Sequence, residues 1–157
     1  MATVKTNAMR ILEKAKIPFR AHTYDPGGEI DGVSVAHKLG QDEAQVFKTL
    51  VTQGSSRNYF VFVIPVAKEL SLKAAARAVG EKSVDMIPVK SINQVTGYIR
   101  GGCSPIGMKK QYTTVLDASA LDQDTIIFSG GKIGFQIEMA PRDLLQLIAA
   151  TTADITQ

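Results

Sequence analysis

The chain has 157 residues, 45% hydrophobic and 21% charged, enough to build one core and too few for two ordinary domains, so one domain is expected over 1–157. Eighteen Lys plus Arg against 15 Asp plus Glu give a net charge of +3, mild for a protein that coats nucleic acid. One cysteine, Cys103, excludes an internal disulfide, and two histidines, His22 and His37, exclude a three-histidine metal site.

No run approaches the ~20 apolar residues of a membrane span, and Met1 to Lys16 lacks the continuous apolar stretch of a signal peptide. No membrane association and a cytoplasmic setting are therefore expected. The tails, Met1 to Lys5 and Thr151 to Gln157, are expected to be loose.

In chain order, Asn7 is placed to cap a helix with Ala8, Ile11, Leu12 and Ala15 on one face, ended by Pro18. Phe19 to Tyr24 alternates as a half-buried strand, with Arg20, His22 and Tyr24 on one side. Asp25-Pro26-Gly27-Gly28 reads as a turn or mobile loop, and Val33 to Leu39 as a short helix stopped by Gly40, with a further helical turn from Asp42. Phe47 to Gln53 and Tyr59 to Pro65 are apolar, β-branched runs joined by a five-residue polar loop, the pattern of a hairpin. Ser71 caps a helix closed by Gly80; Val84 to Ile87 is a short strand; Val89 to Thr96 is a helix ended by Gly97. Gly101 to Gly107 is irregular. Thr113 to Leu116 and Thr125 to Ser129 are strands, the latter turning through Gly130-Gly131-Lys132 into Ile133 to Met139, and Pro141 opens the last helix. Hairpins among helices predict an α+β fold with a mixed, mostly antiparallel curled sheet flanked by helices.

The common catalytic motifs are missing: no GxSxG, no GxGxxG after a strand, no phosphate-binding Gly-Lys-Ser/Thr, no HExxH, no Cys-x-x-Cys. Three features stand out instead. Lys48 interrupts an apolar strand. It is either an edge lysine whose stem lies on apolar surface, or a lysine aimed into a pocket to hold an anion, bond a carbonyl or act as a base. Gly97 to Gly107 holds four glycines and a proline. It is either a plain turn or a backbone path in which Gly101 and Gly102 present N–H groups to an anion or carbonyl oxygen. Arg100, Lys109 and Lys110 flank it as a positive patch or as an ordinary solvated face. Phe128-Ser129-Gly130-Gly131-Lys132 repeats the pairing of a diglycine with a lysine, which a hairpin turn explains equally. Cys103 is packing volume or a nucleophile without a sequence-evident base, and His22 a structural or a site histidine.

Taken together, Gln45-Val46-Phe47-Lys48-Thr49-Leu50, Thr96-Gly97-Tyr98, Gly101-Gly102-Cys103-Ser104-Pro105-Ile106-Gly107 and Ser129-Gly130-Gly131-Lys132, in that order, resemble the YbaK family. These are stand-alone trans-editing proteins that hydrolyse Cys-tRNA(Pro). The chain is also similar to the editing domain of bacterial prolyl-tRNA synthetases. The resemblance implies a mixed α/β fold with a curled sheet, no cofactor and no metal, and deacylation that needs Lys48. It implies an aminoacyl pocket lined by Gly101, Gly102, Ser104, Pro105 and Gly107, with His22, Tyr24 and Asp25 near its mouth and Ser129 and Gly130 in a second glycine turn. Aminoacyl-tRNA is the implied substrate and prolyl-tRNA synthetase the implied partner. Cys103 stands where the family usually has an aliphatic residue, which leaves Ala-tRNA(Pro) or another ester open as substrate. A non-catalytic module binding a nucleotide or aminoacyl-adenosine end is the alternative from another class.

Overall fold

The computed structural model describes residues 5–25, 27–28 and 31–157. In chain order the elements are α1 (Asn7–Lys14), β1 (Arg20–Thr23), α2 (Gly32–Lys38), β2 (Phe47–Gly54), β3 (Tyr59–Pro65), α3 (Leu72–Val79), β4 (Val84–Met86), α4 (Ile92–Thr96), β5 (Thr113–Asp117), β6 (Ile126–Ser129), β7 (Phe135–Met139), α5 (Pro141–Leu147) and β8 (Thr151–Ala153). Five strands pair in the order β4-β2-β3-β5-β8 and three in the order β1-β7-β6. Pairing is antiparallel except for β3 with β5 and β5 with β8, which run parallel. The two ladders meet where Val46 bridges Ile127 and the Ile127 N–H donates to the Gln45 carbonyl; the α+β class and mixed pairing are as expected, with two joined sheets in place of one.

β3 is buried along nearly its whole length because both of its faces are covered, which explains its unbroken apolar sequence. Val61 and Val63 join a core with α1, β6, β7 and α5. Phe60, Phe62 and Ile64 join another with α3, Val84 and Ile155.

Several local expectations need correction. The cap of α1 is Thr6, whose hydroxyl accepts the Met9 N–H; Asn7 is already inside the helix. The expected helix from Val89 divides into a 3-10 turn, Val89–Ser91, and α4. β1 is more exposed than expected, with only His22 half-buried, because it is the outer strand of its sheet. The C-terminal segment is fixed: β8 extends the large sheet in parallel to β5, Ile155 is completely buried, and its carbonyl accepts the Ser71 N–H. A short polar run with one isoleucine gives little apolar periodicity, yet that side chain anchors it. Residues 1–4 of the expected N-terminal tail and Pro26 of the expected turn lie outside the described residues; within that turn the Gly27 N–H donates to Asp25 Oδ1 at 2.9 Å.

One consequence of the topology positions the site. β4 pairs only with Thr52 to Gly54, so Phe47 to Leu50 of β2 are paired on one side only, to β3.

Candidate active site

At this open edge, next to the junction of the two sheets, lies a cavity of about 130 Å³. The start of β2 contributes Val46, Phe47, Lys48 and Thr49; the end of β6 contributes Phe128 and Ser129; β7 contributes Phe135 and Gln136. Gly32 and Val35 of α2, Val66, Tyr24, Gly101 and Cys103 complete the lining. Its walls are mostly apolar, with few polar groups, the usual makeup of a small-molecule site.

Lys48 is half-buried here, opposite Ile64 across the strand pair, and makes no hydrogen bond or ion pair among the described residues. Thr49 Oγ1 is buried and has no hydrogen-bond partner among the described residues. Such an orphaned hydroxyl is uncommon in a folded interior and marks a place where a polar atom can be received.

The glycine-rich segment is a built structure. Ile99 to Gly102 form a type II turn: the Gly102 N–H donates to the Ile99 carbonyl at 3.0 Å and Gly101 sits at φ +85°, the position that glycine alone fills without strain. The expectation that Gly101 and Gly102 both offer N–H donors is therefore corrected. The Gly102 N–H is consumed by the turn, whereas the Gly101 N–H has no partner among the described residues and belongs to a residue lining the cavity. Gly102 has a different task. A Cβ there would stand 3.1 Å from the Ile133 nitrogen and 3.4 Å from Lys132 backbone atoms, so the two glycine turns touch backbone to backbone.

Tyr98 holds both turns. Its ring packs over Gly131, and its hydroxyl donates to the Ile106 carbonyl. Burial pushes that phenol up to about 12, so it remains a donor at neutral pH. Ser104 is fully buried and its hydroxyl accepts the Ile106 N–H at 3.3 Å; Pro105 is buried beside it. Gly107 faces Tyr98, Asn7 and Ile11.

Of the residues singled out by sequence, Lys48, Gly101, Ser129 and Tyr24 come together around the cavity. Gly102, Ser104, Pro105, Gly107 and Gly130 do not line it; they shape the loops behind it. His22 lines another, polar depression, where Nε2 lies 2.7 Å from Glu138 Oε1. Thr125 donates to the second Glu138 oxygen at 2.6 Å. That hydroxyl above all, then His22, holds the Glu138 carboxyl below its usual range against the opposing effect of burial. Gln41 and Gln136 exchange hydrogen bonds of 2.8 and 3.3 Å between the two depressions.

Sequence reasoning missed Thr49, Gln136 and the α2 contribution. Thr49 and Gln136 sit in strands whose polarity looked ordinary, and α2 reaches the cavity only through tertiary packing. Cys103 lines the cavity, but burial pushes its thiol up to about 11. At neutral pH it is a protonated, poor nucleophile. Among the described residues no group of three or more His, Cys, Asp or Glu is placed to hold a metal, and no helix is long and apolar enough to cross a membrane.

An α+β protein with a small pocket at a sheet junction, one unpaired lysine and one free turn N–H has the equipment to grip a small carbonyl or anionic group. Comparison with known proteins specifies the class. Residues 31–147 match the model of the aminoacyl-tRNA editing domain, and the chain belongs to that family. It is 46% identical over 153 residues, 97% of this chain and 93% of the other, to an Enterococcus faecalis protein named "Putative Cys-tRNA(Pro)/Cys-tRNA(Cys) deacylase EbsC". Among solved structures it superposes with a TM-score of 0.81 at 22% identity on "a putative trans-editing enzyme for prolyl tRNA synthetase", covering 98% of this chain and 99% of that one. It superposes on a hypothetical protein with a TM-score of 0.86, also at 22% identity, covering 94% and 97%. These two likenesses establish the fold.

Proposed function

We propose that this chain is an aminoacyl-tRNA deacylase that removes cysteine from mischarged Cys-tRNA(Pro), one editing domain over 1–157 that protects translation fidelity. Supporting this reading is the presence of Lys48 and Gly101 in the lining of one small cavity, in a member of the editing-domain family. The name of the 46% identical relative supports the cysteinyl ester as substrate.

Among the described residues the cavity lining pairs no nucleophile with a histidine or carboxylate: its cysteine is protonated, and His22 lines a different depression. The reaction that suits such a site draws its nucleophile from the substrate. The thiol of the esterified cysteine attacks the ester carbonyl. A carbon–sulfur bond forms, the bond from carbon to the ribose oxygen breaks, and the thiol proton ends on that oxygen. The tRNA leaves with its hydroxyl restored, and water opens the cyclic thiolactone. The protein folds the ester into attack geometry, a contribution of order 7–11 kcal/mol in the best intramolecular cases. The Lys48 ammonium and the Gly101 N–H bond the carbonyl oxygen as charge develops on it.

The net charge of +3 supports only modest grip on tRNA phosphates. The proposal therefore includes prolyl-tRNA synthetase as the partner that presents the tRNA, in the cytoplasm, and little choice among tRNAs by the isolated chain. The test is deacylation of Cys-tRNA(Pro) and Ser-tRNA(Pro) by wild type and Cys103→Ala. The cysteinyl ester is expected to be cleaved much faster, with Cys103→Ala retaining the activity. Equal rates on both esters, or an inactive Cys103→Ala, would refute substrate-supplied attack.

A further inference from the structure

Resting on the substrate-supplied attack proposed above, we infer that the acyl cavity also clears tRNA esterified with a longer thiol, homocysteine, and releases it as a five-membered thiolactone. The groups assigned to the reaction, the Lys48 ammonium and the Gly101 N–H, bond the ester carbonyl, which every aminoacyl ester shares. They do not measure the arm that carries the thiol. That arm meets Val35, Val46, Phe47, Val66 and Phe128, none more than 6% exposed. Two of the polar side chains in the lining are held within the fold. Ser129 Oγ accepts the Gly131 N–H at 3.2 Å, and Gln136 exchanges hydrogen bonds with Gln41. An apolar pocket separates acyl chains that differ by one methylene by only about 10–200-fold.

Ring size favours the longer arm. The cysteinyl thiol closes a strained four-membered ring on its own carbonyl. One methylene more closes a five-membered ring, which the sulfur enters with little angle strain. The carbon–sulfur bond forms, the bond from the carbonyl carbon to the ribose oxygen breaks, and the thiol proton ends on that oxygen, so the step balances without a co-reactant. Space permits it as well. The cavity holds about 130 Å³. The added methylene is close in size to a water molecule, whose share of the liquid is roughly 30 Å³. The substrate class this defines is an aminoacyl ester whose side-chain thiol can close a ring on the ester carbonyl, with cysteine as its shortest member.

In the test, one tRNA(Pro) is acylated in turn with cysteine, homocysteine and methionine, the last being homocysteine with its sulfur blocked by a methyl group. Release is followed with wild type, with Lys48→Met and in buffer alone, and the first product is identified by mass spectrometry. With wild type the homocysteinyl ester is expected to be cleaved about a hundredfold faster than in buffer, the effect that one oxyanion donor commonly carries. Homocysteine thiolactone is the expected first product. The methionyl ester is expected to stay intact, and Lys48→Met to slow the cysteinyl and homocysteinyl esters by the same factor. Cleavage of the cysteinyl ester with the homocysteinyl ester no faster than in buffer overturns the inference and leaves the editing function standing. Cleavage of neither removes both. Free homocysteine appearing faster than the thiolactone itself hydrolyses, or a methionyl ester cleaved at a comparable rate, makes water the nucleophile and overturns the inference.

Discussion

Gly102→Ala isolates the contact between the two glycine turns. The new methyl would stand 3.1 Å from the Ile133 nitrogen and 3.4 Å from the Lys132 Cα and carbonyl carbon, and backbone cannot swing aside as a side chain does. The turns must part by a few tenths of an ångström. Overpacking of this kind costs about 1–3 kcal/mol. Restricting the unfolded chain returns about 0.4–1 kcal/mol. A net loss of about 1 kcal/mol is expected, read as a Tm lower by roughly 2–4 °C for a chain of this size. Parting the turns also shifts Gly101 relative to Lys48. Since a 1 Å misplacement can cost about a hundredfold, a fraction of that is expected to lower deacylation by about tenfold. Gly80→Ala is the matched control. It meets nothing within 4 Å but sits at φ +71° at the end of α3, so it loses about 1 kcal/mol to backbone strain far from the cavity. Thermal unfolding and single-turnover deacylation of Cys-tRNA(Pro) are measured side by side. If both variants lose the same activity at the same Tm, the positional argument fails and only stability is at stake. An unchanged Tm for Gly102→Ala refutes the contact itself.

Other substitutions probe separate parts of the site. Lys48→Met keeps the stem and removes the charge; loss of a charge-assisted hydrogen bond worth about 1.5–3 kcal/mol should slow deacylation by roughly 10–150-fold with the fold intact by circular dichroism, and a retained rate would dismiss Lys48 from catalysis. Thr49→Val removes a buried hydroxyl that has no partner, so urea unfolding should show a protein about 1 kcal/mol more stable, and a destabilised variant would mean the hydroxyl is satisfied. Glu138 is held below its usual 4.5, so its stabilising contribution is fully present above that value and fades as pH falls through it towards the folded-state pKa. Glu138→Gln should therefore trail wild type in urea midpoint at neutral pH, and the gap should close in acid; a gap independent of pH would contradict the assignment.

Much of the fold was legible because its signals are local. The β2–β3 hairpin, the Ser71 and Gly80 ends of α3 and Pro141 at the start of α5 all write their positions in side-chain chemistry. β8 was not, since two threonines and an alanine gain a strand only from the neighbour that pairs with them. At the site, Lys48 stood out as a charge in an apolar strand, and the glycine turns stood out by composition. Which glycine lines the cavity and which one packs could not be read from Gly101-Gly102. That division depends on the turn hydrogen bond and on the approach of Lys132 and Ile133. His22 illustrates the opposite case: a polar residue on a strand beside Tyr24 looks like part of the same site until the side chain of Glu138, on the neighbouring strand β7, claims it.

That separation has a chemical consequence. The described residues lining the acyl cavity include no histidine and no carboxylate, and its thiol stays protonated to about pH 11. A serine or alanine ester placed there would meet donors for its carbonyl but, among the described residues, no histidine or carboxylate to activate water. A cysteine ester brings a group with an ordinary pKa near 8.5, already partly ionised under the same conditions. Selectivity for cysteine then needs no side chain that recognises sulfur: it follows from a pocket that supplies position and charge and withholds a base. Introducing a histidine at Gln136, within the lining, should accordingly raise the rate on Ser-tRNA(Pro) more than on Cys-tRNA(Pro), narrowing the discrimination. An equal effect on both esters would return the origin of selectivity to the shape of the cavity.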